Sequence, residues 1–218
     1  MIVDERITAY INSLETPGSA VSQQIRKEAL EARVPVVRSE TASLLRFFVS
    51  LKQPMQILEV GTAVGYSAIL MSEVMPPGAR ITTIEKYQPR IITAKENFIR
   101  AGKQDVITLL EGDAAWWLSQ LDGPYDLIFM DAAKGQYIHF FQQVMRLLAE
   151  GGLLISDNIL QDGDVMESRF AVTRRNRTIH SRMREYLYTL THTEGLVTSL
   201  ISMGDGVAVT TKRKDRNV

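Results

Sequence analysis

The sequence predicts an α/β fold: a seven-stranded, mostly parallel sheet with helices on both faces, an antiparallel C-terminal hairpin and an N-terminal helical extension. Three observations lead there. From residue 56 onward, short apolar runs alternate with segments of helical period, the pattern of a parallel sheet covered on both sides. These runs are too short for helices and are bounded by glycine and proline, as where Gly123-Pro124 precedes Tyr125. The last two β-rich runs, Leu196–Met203 and Gly206–Lys212, meet at Gly204-Asp205, which is the form of a hairpin. With 218 residues, 45% of them hydrophobic, the chain suits a single domain, residues 1–53 being the extension and 54–218 the core.

The extension reads as three helices. Ile7, Ile11 and Leu14 share one face of the first, which Pro17-Gly18 ends. A more polar segment, Ser19 to Arg33, is followed by an extended linker, Val34-Pro35-Val36-Val37. The third starts near Ser39 or Thr41 and carries Leu44, Leu45, Phe48 and Leu51. Lying before the first strand, this block is expected to cover the ligand crevice or to make a dimer contact.

The parallel strands are expected at Gln56–Gly61, Arg80–Glu85, Val106–Gly112, Tyr125–Asp131 and Gly152–Asn158, with helices between them. After Asp131, Ile138, Phe141, Met145 and Leu148 form an apolar stripe at helical spacing, a core face. A basic helix near 174–191 precedes the hairpin.

Composition narrows the setting. The chain has no cysteine, so disulfides and thiolate metal sites are excluded. No run approaches a membrane span, and Met-Ile-Val-Asp-Glu-Arg lacks a signal-peptide core, so a cytoplasmic protein without a membrane partner is expected. Lys+Arg and Asp+Glu both number 25, yet residues 169–184 hold six arginines and no acid, and 212–218 hold four basic residues and one acid. That asymmetry points toward an anionic partner.

Two strand ends carry chemistry. Leu127–Met130 is an apolar run that stops at Asp131, with Lys134 one short turn further on, and Gly152-Leu-Leu-Ile-Ser-Asp157-Asn158 has the same form. In an open α/β sheet, side chains at the carboxyl ends of strands face the ligand crevice. If the two strands are neighbours, Asp131, Asp157 and Asn158 converge as three oxygen donors, a set suited to a hard cation such as Mg²⁺. The alternative is that each Asp only caps the next helix or turn.

A ligand loop precedes them. The first strand runs into Glu59-Val-Gly61-Thr-Ala63-Val-Gly65-Tyr-Ser67 and then a helix, so small residues let a ligand approach the free N–H groups of the helix start. The dinucleotide fingerprint is absent; the spacing is G-x-x-x-G. Glu85 ends the next strand about 20 residues on, where an acid can hold both hydroxyls of a ribose. Gly112-Asp113-Ala114 ends the third strand, where an adenine edge would lie, although Asp113 is equally the N-cap of a helix over Ala114–Leu121.

Glu59-x-Gly61-x-x-x-Gly65-Tyr66-Ser67, Glu85, Gly112-Asp113, Asp131-x-x-Lys134-Gly135 and Asp157-Asn158 together resemble the motif set of class I, S-adenosylmethionine-dependent O-methyltransferases of the metal-dependent catechol and caffeoyl-CoA type. The resemblance covers residues 35–212. Within that group, Phe129-x-Asp131-Ala-Ala-Lys-Gly-Gln-Tyr137, the Arg-rich segment before Tyr186, and Gly204-Asp205-Gly206 with its basic tail look most like the bacterial tRNA 5-hydroxyuridine methyltransferases. What the resemblance implies is a Rossmann-like methyltransferase fold with strand order 3-2-1-4-5-7-6, and a homodimer.

Carried over by position, the cofactor contacts fall on Val37 or Arg38, Glu59, Gly61, Ser67, Glu85, Asp113, Ala114 and Asp131. The resemblance likewise implies Mg²⁺ or Mn²⁺ on Asp131, Asp157 and Asn158, with Lys134 as base and Asp131 beside it. The chain departs from the catechol enzymes after Asn158, where Gln161-Asp-Gly-Asp-Val has acids in place of substrate-gating aromatics.

A methyl sulfonium is already activated, so the task is to ionise an acceptor hydroxyl and hold it in line. Two vicinal oxygens suit a metal site, and catechol and 5-hydroxyuracil both offer them. The expected reaction is methylation of 5-hydroxyuridine in tRNA, with Arg169, Arg174, Arg175, Arg177, Arg182, Arg184 and the basic tail on the phosphates. The alternative is a small catechol-like or caffeoyl-CoA-like acceptor, the arginines then being a solvated helix face.

Overall fold

A computed structural model describes residues 5–213. The helices are α1 (Glu5–Leu14), α2 (Ala20–Glu31), α3 (Ser39–Lys52), α4 (Tyr66–Ser72), α5 (Gln88–Arg100), α6 (Ala114–Gln120), α7 (Tyr137–Leu147) and α8 (Arg177–His192). The strands are β1 (Gln56–Val60), β2 (Arg80–Glu85), β3 (Ile107–Glu111), β4 (Tyr125–Met130), β5 (Leu148–Asp157), β6 (Leu196–Ile201) and β7 (Val207–Lys212). They form one sheet in the order β3-β2-β1-β4-β5-β7-β6. The first five strands run parallel, and β7 is antiparallel to both β5 and β6. This is the expected Rossmann-like topology.

Alternation along the strands divides the core in two. Ile57, Phe129 and Ile155 face α3, α4 and α5, where Leu45, Val49, Ile69 and Phe98 are buried. Leu58, Val60, Ile128 and Met130 face α7 and α8, where Tyr137, Val144, Met183 and Tyr186 are buried. Each such large side chain contributes roughly 1.5–3 kcal/mol on burial, so both faces hold the sheet edge rigid.

The structure moves several expected boundaries. Helix α7 ends at Leu147, and Leu148 is already extended at the start of β5, four residues before the expected strand start. Its pairing with Tyr125 is followed by a register shift, so a short irregular stretch joins the strand that the apolar run announced. The deepest face of α7 is Tyr137, Phe140, Val144 and Leu147; Ile138, Phe141 and Met145 pack beside it. Helix α8 starts at Arg177, which leaves Arg169, Arg174 and Arg175 in the loop before it. On α1, Ile7, Tyr10, Ile11 and Leu14 are exposed, so that apolar face is not spent on the chain's own core. Of the basic C-terminal tail, residues 214–218 lie outside the described residues. Among the described residues no helix is long and apolar enough to cross a membrane.

Candidate active site

Strand register brings the site together. Val60 pairs with Met130, and Met130 with Ser156, so the next residues, Gly61, Asp131 and Asp157, stand abreast at the carboxyl edge. This is the switch point of the sheet, where connections diverge from β1 and β4 and a crevice must open. Gly61 is needed there: with φ at +107°, a Cβ would lie 2.1 Å from the carbonyl oxygen of Asp131.

The crevice is a cavity of about 750 Å³. Its lining follows the strand order: Gly112, Asp113 and Ala114 after β3, Glu85 at the end of β2, Gly61 after β1, Asp131 after β4, and Asp157 with Asn158 after β5. Four strand spacings span about 19 Å, room for a long ligand laid across the sheet edge. Val37 and Arg38 from the extension line it as well.

At one side Glu85 is 8% exposed and already engaged. Its Oε2 accepts from the Ala63 N–H at 3.0 Å, and its Oε1 from the N–H groups of Lys86 and Tyr87, both at 2.9 Å. The carboxylate therefore ties the loop after β1 to the end of β2, with lone pairs left over for a ligand's hydroxyls. Asp113 caps α6 through the Ala115 N–H at 2.9 Å, and its other oxygen lies 3.5 Å from Lys86 Nζ, so the capping role is realised on the cavity wall.

At the other side the Lys134 ammonium donates to Asp131 Oδ1 at 2.8 Å, to Asn158 Oδ1 at 2.7 Å and to the Tyr137 hydroxyl at 3.3 Å. Asp157 is 1% exposed. Its Oδ1 accepts from the Thr41 hydroxyl at 3.3 Å and from the Asn158 N–H at 2.8 Å. Burial first, and then the charge of Asp131, pushes the Asp157 carboxyl up to about 6, against the opposing pull of Lys134. The buried Tyr137 hydroxyl, within reach of the carbonyls of Met130 (2.9 Å) and Asp157 (3.2 Å), joins the two strand ends. Burial raises its pKa, which keeps it neutral.

Asp131, Asp157 and Asn158 thus converge as expected. A cation, the Lys134 ammonium, bridges two of the three oxygens, and the third residue is a buried carboxylate with no ammonium of its own. That donor set fits a hard divalent cation. Among the described residues no group of three or more His, Cys, Asp or Glu side chains is placed to hold a metal ion; the set here is two carboxylates and an amide.

Glu59 and Ser67 are elsewhere. Glu59 is fully buried beneath the cavity, accepting from the hydroxyls of Ser67 and Thr83, each at 2.5 Å. Neither residue lines the cavity, and their role in the structure is to anchor α4 to β1 and β2. Sequence reasoning gave no site role to Thr41, which crosses from the extension, or to Tyr137, which it named only as the end of a motif. It also missed Tyr87 and Arg90 at the mouth, where the guanidinium lies 5.6 Å from the ring centre; an aromatic just after the Glu85 strand end was the available signal.

An O-methyltransferase family model matches residues 15–213. Over 169 residues the chain is 36% identical to a catechol O-methyltransferase of Niastella koreensis, covering 75% of this chain and 76% of that protein. It is 27% identical to tapetum-specific methyltransferase 1 of Arabidopsis thaliana, covering 96% and 94% of the two chains. A crystal structure of a candidate caffeoyl-CoA O-methyltransferase from Staphylococcus aureus superimposes with a TM-score of 0.87 at 30% identity, covering 96% of this chain and all (100%) of that one.

Proposed function

The chain belongs to the O-methyltransferase family, of the catechol and caffeoyl-CoA type, and we propose that it moves the methyl group of S-adenosylmethionine to one of two adjacent oxygens on a small phenol. The observation that carries this reading is the alignment of Glu85, Gly61, Asp131 and Asp157 along one cavity, which would take a donor's ribose at one side and an acceptor's oxygens at the other. Asp131, Asp157 and Asn158 would hold Mg²⁺ or Mn²⁺. When bound, such a cation supplies Lewis acidity, lowering the pKa of an acceptor hydroxyl.

The chain's own residues do the rest. Glu85 orients the donor, and the close approach permitted at Gly61 brings it down onto the sheet edge. Asp131 keeps the Lys134 amine at the acceptor end, where it takes the hydroxyl proton as the oxygen attacks the methyl carbon and the S–CH₃ bond breaks, its electron pair staying on the sulfur of the departing S-adenosylhomocysteine. Tyr137 holds the two carboxylate-bearing strand ends at fixed separation.

The test is methyl transfer from labelled S-adenosylmethionine to a catechol and to caffeoyl-CoA. Turnover should vanish in chelator and return with Mg²⁺ or Mn²⁺. Full activity in chelator would remove the metal from the reading, and inertness toward every vicinal phenol would remove the acceptor.

A second reading, methylation of 5-hydroxyuridine in tRNA, is favoured by one observation. Arg169, Arg174 and Arg175 are exposed on the loop before α8 together with Phe170, which is 88% exposed, a pairing of cations and an aromatic face suited to phosphates and bases. The other three arginines each donate to a carbonyl: Arg177 and Arg182, both half-buried, to those of Val172 and Gly135, and Arg184, which stays exposed on α8, to that of Val165. A homodimer belongs to the proposal too, since α1 leaves its apolar face for a second copy; light scattering of Ile11→Asp against the parent chain tests it.

A further inference from the structure

We infer that Asp205, in the turn between β6 and β7, is a positioning residue for the acceptor end: it holds the loop that carries Asn158. The inference rests on the proposed reading of that end of the cavity. Asp205 lies 48 residues from Asp157 in the chain but is 6% exposed and faces the segment just past it. Its Oδ1 accepts from the Asp162 N–H at 2.6 Å, and its carbonyl from the Leu160 N–H at 3.0 Å. The next carbonyl, of Gly206, accepts from the Ile159 N–H at 3.1 Å. Three of the four residues after Asn158 are therefore hydrogen-bonded to two residues of the hairpin turn.

The loop needs such a hold. Asn158, Gln161 and Asp162 sit in the left-handed region with φ between 50° and 53°, a conformation uncommon for L-residues; Asn and Asp enter it more readily than others, so three such residues within five positions, Gln161 among them, call for support from their surroundings. The turn fits flush against it: a Cβ on Gly206 would come within 2.4 Å of Leu160 Cγ. Beside the turn, Arg38 Nη2 lies 3.3 Å from Asp162 Oδ1, and Thr41, in the first turn of the helix that Arg38 caps, donates to Asp157. The start of α3 and the hairpin turn, which pack against each other at Gly204, thus both hold the loop. Of the contacts from the turn, the carboxylate of Asp205 is the one a side-chain substitution removes.

Asp205→Ala deletes the acceptor; Asp205→Asn keeps an oxygen in the same place. In Asp205→Ala, amide hydrogen exchange at Leu160 and Asp162 should quicken at least tenfold. The acceptor kcat/KM should fall about tenfold or more, mainly through KM, while S-adenosylmethionine affinity by calorimetry stays within about twofold. Asp205→Asn should restore both readouts to within about threefold of the parent. Asp205→Ser, with a shorter oxygen arm, replaces Ala if that variant does not fold, and an intermediate effect is expected. Parent-like exchange and kinetics in the Ala or Ser variant would overturn the inference. So would a loss of cofactor affinity and melting temperature equal to the loss for the acceptor, which would mark a general folding role. If the parent chain methylates neither acceptor class, the proposed function fails by itself, while hydrogen exchange still decides the hold on the loop.

Discussion

The Lys134 ammonium donates to the side-chain oxygen of Asn158 at 2.7 Å, across 24 residues of chain and between two adjacent strand ends. The same nitrogen reaches Asp131 Oδ1 at 2.8 Å, so the proposed base is also the cation that balances the acceptor end. Two substitutions separate these roles. Lys134→Ala should lower kcat by about 10²–10⁴, the usual worth of a positioned base, with cofactor affinity nearly unchanged. Lys134→Arg keeps a cation beside Asp131 but does not surrender a proton near neutral pH, so it should stay as impaired as Ala. Recovery of turnover in the Arg variant would leave Lys134 as an ion-pair partner only.

Glu85 is expected to hold the donor's ribose, and its three backbone contacts set the cost of changing it. Glu85→Ala should weaken S-adenosylmethionine binding tenfold or more by calorimetry, on the scale of a hydrogen bond to a charged group. Glu85→Gln keeps an acceptor for the Ala63 N–H and should lose less. Parent-like affinity in the Ala variant would take the ribose contact away from Glu85.

Much of this geometry was legible because it follows from chain order. Short apolar runs ending in Asp131 and Asp157 predicted two strands, the resemblance implied that they are neighbours, and neighbouring parallel strands place their following residues side by side. Contacts made by packing between distant elements were not legible. Nothing near Thr41 or Asp205 marks either as a neighbour of Asp157 or of its loop, because both arrive from elements whose positions depend on how the extension and the hairpin dock. The Arg-rich segment was ambiguous in a different way. Arginines that close off carbonyls look, in sequence, like arginines offered to solvent: Arg177 and Arg182 are half-buried, while Arg169, Arg174 and Arg175 in the loop and Arg184 on α8 are exposed. Glu59 was legible as part of the ligand loop but not as a buried acid behind it.

The exposed arginines divide the two acceptor readings. On the small-phenol reading, replacing Arg169, Arg174 and Arg175 together with Ala should leave kcat/KM for a catechol within about twofold, since none of them touches Lys134 or the three oxygens. Binding of tRNA by the parent chain, followed by fluorescence anisotropy, should then be weak, and salt should matter little to turnover. Phosphate contacts release counterions, so steeply salt-dependent tRNA binding that the triple variant flattens, accompanied by tRNA methylation, would move the assignment to the second reading.

The buried acid behind the cavity carries a prediction about pH. Burial pushes the Glu59 carboxyl up to about 8 from 4.5, despite the Ser67 and Thr83 hydroxyls that favour its ionised form. An acid with a raised folded pKa keeps its proton in the folded chain over a range where the unfolded chain has lost it. The folded state therefore binds the extra proton between about 4.5 and 8, and stability falls as pH rises through that window. The scale is on the order of a few kcal/mol, at about 1.4 kcal/mol per pH unit. Glu59→Gln removes the titration while filling the same space. Its oxygen can accept from one hydroxyl and its amide can donate to the other, because Thr83 shares a 2.6 Å hydrogen bond with Thr62 whose direction can reverse. Urea unfolding at pH 5, 7 and 9 should show the variant gaining on the parent at each step upward. A difference between the two proteins that stays constant from pH 5 to 9 would mean that Glu59 ionises in the folded chain as readily as in the unfolded one.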